Sequence, residues 1–296
     1  MEFVNQCPSC EGVLFSPYHT CVDHTVSHET FQLMRCETCK LVFTSPRPLS
    51  KYLGRYYVSD DYISHIPKTK KFFDKVYQFS RHFTLKWKFN LVTANSLSSN
   101  GLQTLLDYGC GTGEFLNKCK NEGIIIKGVE PSDIARNHAS KLIGQTVYKS
   151  IEESTETFDV ITLWHVLEHV PDLDNIILQF KQRLNKNGTM FIAVPNHLSK
   201  DAEIYKSLWA AYDVPRHLWH FNKQSMEHLL TRLSLKLEKI IPMPLDSYYV
   251  SMLSEKHKAG KSTFVGLLKG FLIGVKSNYI ARNTKEYSSL IYVVRK

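Results

Sequence analysis

A run of apolar residues that ends in an acid and leads directly into alternating glycines is the feature that most restricts the fold. Residues 105–115 read "LLDYGCGTGEF", with Asp107 closing the run and Gly109, Gly111 and Gly113 in the loop. Glycine lacks a Cβ, so its backbone can adopt unusual dihedrals and approach a ligand closely. In open α/β sheets, ligands lie beyond the carboxyl ends of the strands. The stretch therefore predicts a ligand-binding loop at the end of a first strand.

A second acid, Glu130, ends the next apolar run, "IIIKGVEPS". A carboxylate at that place can accept hydrogen bonds from ribose hydroxyls. The glycine spacing is neither the G-x-G-x-x-G of dinucleotide sites nor the G-x-x-x-x-G-K-[ST] of triphosphate-binding loops. Together, Asp107, the glycine loop and Glu130 predict a site for a cofactor that contains ribose.

Strand-like and helix-like segments alternate from residue 102 onward. The expected strands are "TLLDYG", "IIIKGVEP", "TVYKS", "FDVITLWHV" and "TMFIAVPN", followed later by "LKLEKIIP" and "SSLIYVVRK". Amphipathic helical patterns such as "NIILQFKQRLN" lie between them. This alternation predicts a parallel sheet with helices on both faces.

The segments "LLDYGCGTGEF", "GVEPS" and "FDVITLWHVLEHVPD" together resemble the class I S-adenosylmethionine-dependent methyltransferases. The resemblance covers roughly residues 100–296 and is close to the branch of the ubiquinone-biosynthesis O-methyltransferases. It implies an α/β fold with a Rossmann-like, seven-stranded sheet, S-adenosylmethionine as cofactor and S-adenosylhomocysteine as product. It also implies a cofactor-binding set made of Asp107, Gly109, Cys110, Gly111, Gly113, Glu130, Pro131, Ser150, Ile151, Trp164 and His165.

Within that set the resemblance assigns separate parts of the cofactor to separate residues. The backbone of 109–113 would pass the methionine part, and Asp107 would hold its amino group directly or through water. Glu130 would bind the ribose. Ser150 and Ile151, after the third expected strand, would flank the adenine.

The segment "LWHVLEHVPD" faces the transferred methyl group in the resembled family, which makes His165, Glu168 and His169 the candidate catalytic residues. One alternative is that His165 or His169 acts as a general base for an acceptor that must lose a proton. A second is that Glu168 and His169 only fix the loop and the cofactor. The third is a divalent metal site that resembles an E-x-x-E-H pattern, with His165 in place of the first Glu and with His217 and His220 nearby.

The segment "YDVPRHLWHFN" follows the fifth expected strand, where insertions commonly form the acceptor pocket. The candidate acceptor-binding residues are Arg216, His217, His220, Tyr248 and Tyr249. Arg216 could grip a carboxylate or phosphate with two hydrogen bonds, or it could hold a lid through a buried salt bridge. The tyrosines could equally serve packing. We expect a small or lipid-linked acceptor that is methylated on oxygen.

Two C-x-x-C pairs, Cys7 with Cys10 and Cys36 with Cys39, predict a structural zinc site with four thiolates. Such a small module has little core, so the metal would supply much of its folding free energy. The expected domains are a zinc ribbon at 1–45, a helical connector at 46–98 and a methyltransferase domain at 99–296.

The net charge of +9 favours anionic partners. An RNA methyltransferase that grips RNA with the ribbon and the basic helix at 67–97 is one alternative, and a non-catalytic cofactor-binding regulator is another. The apolar run at 262–275 could lie in a membrane interface or cover the sheet, but it is too short to span a bilayer. The N-terminus has no signal-peptide pattern, and the paired cysteines suit a reducing compartment, so we expect a cytoplasmic protein without a transmembrane segment.

Overall fold

The computed structural model describes residues 1–57, 84–96 and 103–296. The connector predicted at 46–98 is therefore described only at its two ends. Residues 67–83 of its predicted helix lie outside the described part, and residues 84–95 are helical. The proposed division into three domains remains a prediction.

A six-stranded sheet forms the centre of the molecule, in the spatial order β5-β4-β6-β7-β10-β9. Its strands are β4 (Thr104–Tyr108), β5 (Ile125–Val129), β6 (Phe158–Trp164), β7 (Leu184–Pro195), β9 (Lys236–Pro242) and β10 (Ser289–Arg295). Strands β4 to β7 are parallel, whereas β10 is antiparallel to both of its neighbours. The α/β prediction is confirmed.

Two details of that prediction are corrected. Within the described residues the sheet has six strands and not seven, because the expected strand at 146–150 contributes only a single bridge, between Val129 and Tyr148. The sheet is also mixed and not purely parallel. Strand β10 can run antiparallel to β9 because the two helices between them form a hairpin. The hairpin begins and ends at the same edge of the sheet, so the chain enters β10 from the edge at which β9 ends.

Helices cover both faces of this sheet. Alternate residues of one strand point to opposite faces. Thus Leu106 and Ile161 join the cluster that contains helix α4, and Leu105 and Val160 join the cluster that contains α2 and α3. The helices are α1 (Ser50–Leu53), α2 (Glu114–Asn121), α3 (Asp133–Ile143), α4 (Leu173–Arg183), α5 (Lys200–Tyr205), α6 (Lys223–Arg232), α7 (Asp246–Ala259) and α8 (Phe264–Thr284), and single turns of 3-10 helix lie at Gly54–Tyr57, Ile151–Glu153, Leu167–His169, Lys206–Leu208 and Ala210–Tyr212.

A second, four-stranded sheet contains the N-terminal segment. Its antiparallel strands are β1 (Phe15–Val22), β2 (Thr30–Cys36), β3 (Val42–Thr44) and β8 (Trp219–His220). Strand β8 belongs to the insertion that follows β7, so backbone pairing joins the N-terminal segment to the domain assigned to 99–296. The contact is reinforced by Arg47, whose guanidinium carbon lies 4.5 Å from the centre of the Trp219 ring.

Two insertions lie at the carboxyl edge of the central sheet. One is the segment 196–222 after β7. The other is the hairpin of α7 and α8 after β9, because β9 runs in the same direction as β7 and ends at the same edge. Helix α8 has 21 residues, so the apolar run at 262–275 belongs to a longer helix than the sequence suggested. Among the described residues it is the one helix that is long and apolar enough to cross a membrane by length and composition.

Candidate functional site

The glycine loop between β4 and α2 is a tight, left-handed turn. The φ angles of Gly109, Gly111 and Gly113 are 72°, 56° and 86°, a region that residues with a Cβ rarely adopt. A Cβ on Gly109 would lie 2.5 Å from a Val166 methyl carbon, and a Cβ on Gly113 would lie 2.9 Å from that of Ala139. Around Gly111, no described atom lies within 4 Å of such a Cβ. Packing therefore requires two of the glycines, while the third keeps the loop open on its outer side.

Two carboxylates frame this loop. Asp107 is buried and accepts a hydrogen bond of 2.6 Å from the Thr162 hydroxyl. Burial raises the pKa of Asp107 to about 7, although the Thr162 hydroxyl and a nearby lysine oppose the shift. Glu130 accepts hydrogen bonds from the backbone N–H groups of Gly111 and Ser132, both at 2.9 Å. Each carboxylate oxygen can accept more than one hydrogen bond, so Glu130 can hold the loop and also bind a ligand.

A cavity of about 400 Å³ opens between the loop, β6 and the helical segment at 84–95. Its lining residues are Thr84, Leu85, Lys88, Asp107, Gly109, Cys110, Gly111, Thr112, Glu114, Phe115 and Trp164. The volume lies in the range of small-molecule and cofactor sites. The predicted residues Asp107, Gly109, Cys110, Gly111 and Trp164 thus line one cavity.

The other predicted cofactor residues lie around the cavity and not on its lining. Gly113 turns the chain into α2, and Pro131 follows Glu130 at the end of β5. Ser150 begins the 3-10 turn Ile151–Glu153, and Ile151 is buried in the core of the sheet. The contribution of these four residues to cofactor binding remains a prediction.

Lys88 is a cavity residue that the sequence interpretation missed. Its Nζ atom lies 4.4 Å from the centre of the Trp164 ring. Burial lowers the pKa of Lys88, and the charges of Asp107 and Asp246 oppose that shift. The sequence interpretation gave the lysines of the basic helix at 67–97 only a possible role in RNA binding. Lys88 lies between Trp87 and Phe89, which pack on the core, and that position is the feature that could have identified it.

His165 joins the end of β6 to the start of the helical hairpin. Its backbone has a φ of 59°. Its Nε2 atom lies 2.9 Å from Asp246 Oδ2, and its Nδ1 atom lies 3.4 Å from Glu168 Oε1. Burial alone would lower the pKa of His165, but hydrogen bonding to Asp246 and Glu168 raises it to about 10. The imidazole is therefore a cation at neutral pH, which disfavours the general-base role for His165 and suits a role in holding the loop.

Glu168, His169 and His217 form a second cluster directly behind His165. One side-chain ligand atom from each residue lies within 4.8 Å of the others. Glu168 is fully buried, and apart from the contact with His165 Nδ1 at 3.4 Å neither of its oxygens has a hydrogen-bond partner in the part of the chain that the structure describes. A buried carboxylate with so few partners is costly unless cations stabilise it.

In both histidines of this cluster, the Nδ1 atom faces a backbone carbonyl oxygen. His217 Nδ1 lies 2.8 Å from the Ala211 carbonyl oxygen, and His169 Nδ1 lies 3.1 Å from that of Arg216. A carbonyl oxygen only accepts, so each Nδ1 carries a proton. Burial lowers the pKa of His169 to about 4, with His217 contributing in the same direction, so His169 is neutral at pH 7 and its Nε2 keeps a lone pair. His217 Nε2 lies 4.0 Å from Asp213 Oδ2. Two imidazoles and a carboxylate are thus brought together.

Arg216 lies close to this cluster, but its guanidinium is enclosed by protein. It donates to Asp213 at 2.6 and 3.0 Å, to Asp23 at 2.9 Å and to the Tyr56 carbonyl oxygen at 2.9 Å. The residue is 2% exposed. The acceptor-binding hypothesis for Arg216 therefore does not suit its position. The geometry favours the alternative of a buried salt bridge, which here fastens the insertion after β7 to the N-terminal segment.

The remaining predicted acceptor residues are separated from one another. His220 is buried on β8, and its ring centre lies 6.4 Å from that of His217, outside the three-residue cluster. Tyr248 stacks on Phe271 of α8 with ring centres 5.1 Å apart. Tyr249 is 63% exposed on α7. Tyr248 therefore packs between the two helices, which is the alternative to acceptor binding given for it above. Of the predicted acceptor residues, only His217 lies in the cluster with Glu168 and His169.

The four predicted thiols converge in the N-terminal module. The Sγ atoms of Cys7 and Cys39 are 3.5 Å apart, as are those of Cys10 and Cys36. All four Sγ atoms lie within 4.8 Å of one another. Tetrahedral zinc–thiolate bonds would place sulfurs about 3.8 Å apart. The donor set and its spacing therefore fit a four-coordinate metal.

The parallel strands, the glycine loop and the two acids at consecutive strand ends define an α/β protein that binds a nucleoside cofactor in the Rossmann-like manner. Residues 62–240 match the family model described as a methyltransferase domain, and the chain belongs to that family.

Curated relatives match about a third of the chain. The ubiquinone biosynthesis O-methyltransferase of Pasteurella multocida is 34% identical over 34% of this chain and 51% of its own length. That of Haemophilus ducreyi is 31% identical over 40% of this chain and 56% of its own length. The match thus spans about half the length of these relatives.

Two solved structures share the fold. Magnesium protoporphyrin IX methyltransferase from Synechocystis PCC 6803, solved with bound SAH, has a TM-score of 0.53 at 13% identity, over 83% of this chain and all of that one (100%). A mycolic acid cyclopropane synthase, solved with SAH and CTAB, has a TM-score of 0.51 at 16% identity, over 74% of this chain and 85% of that one. At these identities the likeness concerns the fold alone.

Proposed function

We propose that this chain transfers the methyl group of S-adenosylmethionine to a hydroxyl oxygen of a small or lipid-linked acceptor. The observation that carries the proposal is the cavity of about 400 Å³ lined by the glycine loop and Asp107, with Glu130 bonded to the loop. Membership in the methyltransferase family supports the reaction type. The names of the relatives, which are O-methyltransferases, support oxygen as the acceptor atom.

The cofactor would lie along the loop from Asp107 to Glu130. Ionised Asp107 would pair with the amino group of the methionine part, and Glu130 would accept from the ribose hydroxyls. Lys88 would face the methionine carboxylate from the opposite wall. Methyl transfer from a sulfonium is a direct displacement, so these contacts act mainly by aligning the methyl group with the incoming oxygen.

The cluster of Glu168, His169 and His217 fits a divalent metal ion of the kind anticipated at this segment. Apart from His165, the Glu168 carboxylate has no hydrogen-bond partner among the described residues, and one ligand atom each of His169 and His217 lies within 4.8 Å of it. His217 takes the place expected for His165, which is instead held by Asp246. When bound, the ion would lower the pKa of an acceptor hydroxyl and fix its position. His165 would position Glu168.

The metal assignment can be tested without measuring turnover. Mn²⁺ prefers oxygen and imidazole ligands over thiolates, so its paramagnetic resonance signal reports this cluster and not the cysteines. We expect the wild type to bind Mn²⁺ and Glu168→Gln to lose it, with cofactor affinity unchanged. The exposed His138→Gln variant is the matched control and should bind as the wild type does. Equal Mn²⁺ binding by Glu168→Gln would remove the assignment.

Zinc at Cys7, Cys10, Cys36 and Cys39 is the structural part of the proposal. Four buried or half-buried thiols within 4.8 Å support it. We expect elemental analysis to find one zinc per chain, and Cys36→Ser to lose the zinc and lower the Tm. Full zinc content in that variant would contradict the assignment.

The transfer itself is tested with methyl-labelled cofactor and fractionated cell extract. Label is expected in a fraction of small or lipid-linked molecules, and His169→Gln should abolish it while leaving the Kd for S-adenosylhomocysteine unchanged. Tight cofactor binding without transfer to any fraction would favour a regulatory protein. Salt-dependent retention of RNA on filters, with label in RNA, would favour the RNA alternative. That alternative is weakened by Trp87 and Phe89, which pack on the core and offer no stacking platform.

A further inference from the structure

Helix α8 carries an apolar stripe that the described part of the chain leaves largely open, although Tyr248 stacks on one of its members, Phe271. Six large apolar side chains on it are between 42 and 82% exposed: Phe264, Val265, Leu268, Phe271, Leu272 and Val275. At about 100° per residue these positions fall within an arc of about 120° on the helix surface. Soluble proteins rarely leave so continuous an apolar surface open unless it meets a membrane or a partner.

The opposite side of α8 is fastened to the protein. Its small residues Gly270 and Gly274 face α7 so closely that a Cβ there would lie 2.6 Å from the Met252 Cα and 2.9 Å from the Tyr248 Cα. Ser277 donates a hydrogen bond of 2.7 Å to the buried Asp201 carboxylate. A helix that crossed a bilayer on its own would have to leave these contacts, so the attached side favours a helix that lies flat.

The charges around the stripe have one sign. Residues 264–284 contain no acid, and Lys269 and Lys276 lie at the border of the stripe. Lys258 at the end of α7 and Lys261 in the turn between the two helices are exposed. Lys269 is partly neutralised by Glu255 at 3.3 Å. An apolar stripe bordered by lysines complements a bilayer with anionic lipid, whereas two copies of the same face would bring like charges together.

The position of the hairpin connects this surface to the cofactor cavity. Helix α7 begins at Asp246, which holds His165 at the end of β6, and the hairpin stands at the carboxyl edge of the sheet, where the cavity opens. The hairpin and the cavity thus lie at the same edge of the central sheet.

We propose that the exposed stripe of α8 and its bordering lysines seat the protein on an anionic lipid bilayer, with the helix lying in the plane of the interface. Membrane binding does not depend on methyl transfer. Its consequence, that the acceptor is taken from the bilayer, rests on the proposed function.

The test uses the full chain with zinc and sedimentation with vesicles of phosphatidylcholine alone or mixed with phosphatidylglycerol. We expect binding to the mixed vesicles and much weaker binding to the neutral ones. The triple variant Phe264→Gln/Leu268→Gln/Leu272→Gln should lose roughly a hundredfold in partition coefficient. Lys261→Gln/Lys276→Gln should lose roughly fivefold per lysine on the mixed vesicles only. The matched control is Val13→Gln/Leu14→Gln, two equally exposed apolar residues of the N-terminal module, which should bind like the wild type.

Four results would overturn the proposal. The first is a wild-type protein that does not bind the mixed vesicles. The second is a triple variant that binds them as the wild type does while its Tm is unchanged. The third is a dimer in light scattering that the triple variant separates, which would assign the stripe to a second copy. The fourth is resistance to alkaline carbonate extraction from cell membranes, which would indicate a spanning helix. Cofactor affinity, measured by calorimetry on the same samples, separates these outcomes from a failure of the proposed methyltransferase activity.

Discussion

Replacing Glu130 by Gln should weaken cofactor binding more than any other isosteric change in the loop. The carboxylate accepts from the backbone N–H groups of Gly111 and Ser132, both at 2.9 Å, and is proposed to accept from the ribose hydroxyls as well. A glutamine keeps the shape and loses the charge. Its amide nitrogen must also face one of the two backbone N–H groups, which places donor against donor.

The expected loss follows from those contacts. A hydrogen bond to a charged group contributes about 1.5–3 kcal/mol, and the substitution converts at least one such bond to the ribose into a neutral one while loosening the loop. A total near 3 kcal/mol corresponds to roughly a 150-fold rise in Kd. The cavity and the fold should persist, because Glu130 lies at the surface end of β5 and not in the core.

Isothermal titration calorimetry with S-adenosylhomocysteine measures this difference directly. The control is Glu122→Gln, an exposed residue that pairs with Lys118, and we expect its Kd to stay within about twofold of the wild type. If Glu130→Gln bound within about threefold of the wild type with an unchanged Tm, the ribose would not be held by Glu130, and the placement of the cofactor along the loop would be refuted.

Three further predictions concern the same cavity and its support. Because burial raises the pKa of Asp107 to about 7, cofactor affinity should fall about tenfold per pH unit below pH 7 and level off above it, and Asp107→Asn should bind weakly with no such slope in calorimetry across pH. Lys88→Met should raise the Kd about tenfold by removing a charge-assisted contact, whereas the exposed neighbour Lys86→Met should not change it. Arg216→Met should lower the free energy of unfolding by about 3–5 kcal/mol in urea titration, since two acids lose their cation; a loss below about 1 kcal/mol would contradict the buried salt bridge.

The cofactor half of the site could be predicted because its determinants are local. A carboxylate at a strand end, a glycine turn and a second carboxylate after the next strand occupy fixed places once the strands pair in parallel, so Asp107, Gly111 and Glu130 needed no knowledge of distant contacts. The prediction of a strand at 146–150 was wrong because strand formation at that position depends on a non-local contact. Its residues have strand propensity, but edge pairing depends on the neighbouring strand, and only Tyr148 meets Val129.

The acceptor half depends on contacts between segments that are far apart in sequence. The pairing of His165 with Asp246 turns a candidate base into a cation, and nothing in "LWHVLEHVPD" announces that partner. Arg216 is committed to Asp23 of the N-terminal segment. Lys88 likewise counted only as part of a basic helix, although it lines the cavity and its Nζ atom lies 4.4 Å from the centre of the Trp164 ring.

Glu168 shows why these distant segments belong to one site. On one side it faces His165, which Asp246 ties to the helical hairpin; on the other it faces His169 and His217. His169 in turn meets Tyr57 Oη at 3.1 Å, which brings in the N-terminal segment. One buried carboxylate is thus shared by the sheet, the hairpin and the insertion after β7. Because a displacement of any of them would change the charge that surrounds Glu168, the proposed membrane-binding hairpin would be coupled to the proposed reaction site through this side chain, and not through the cofactor loop.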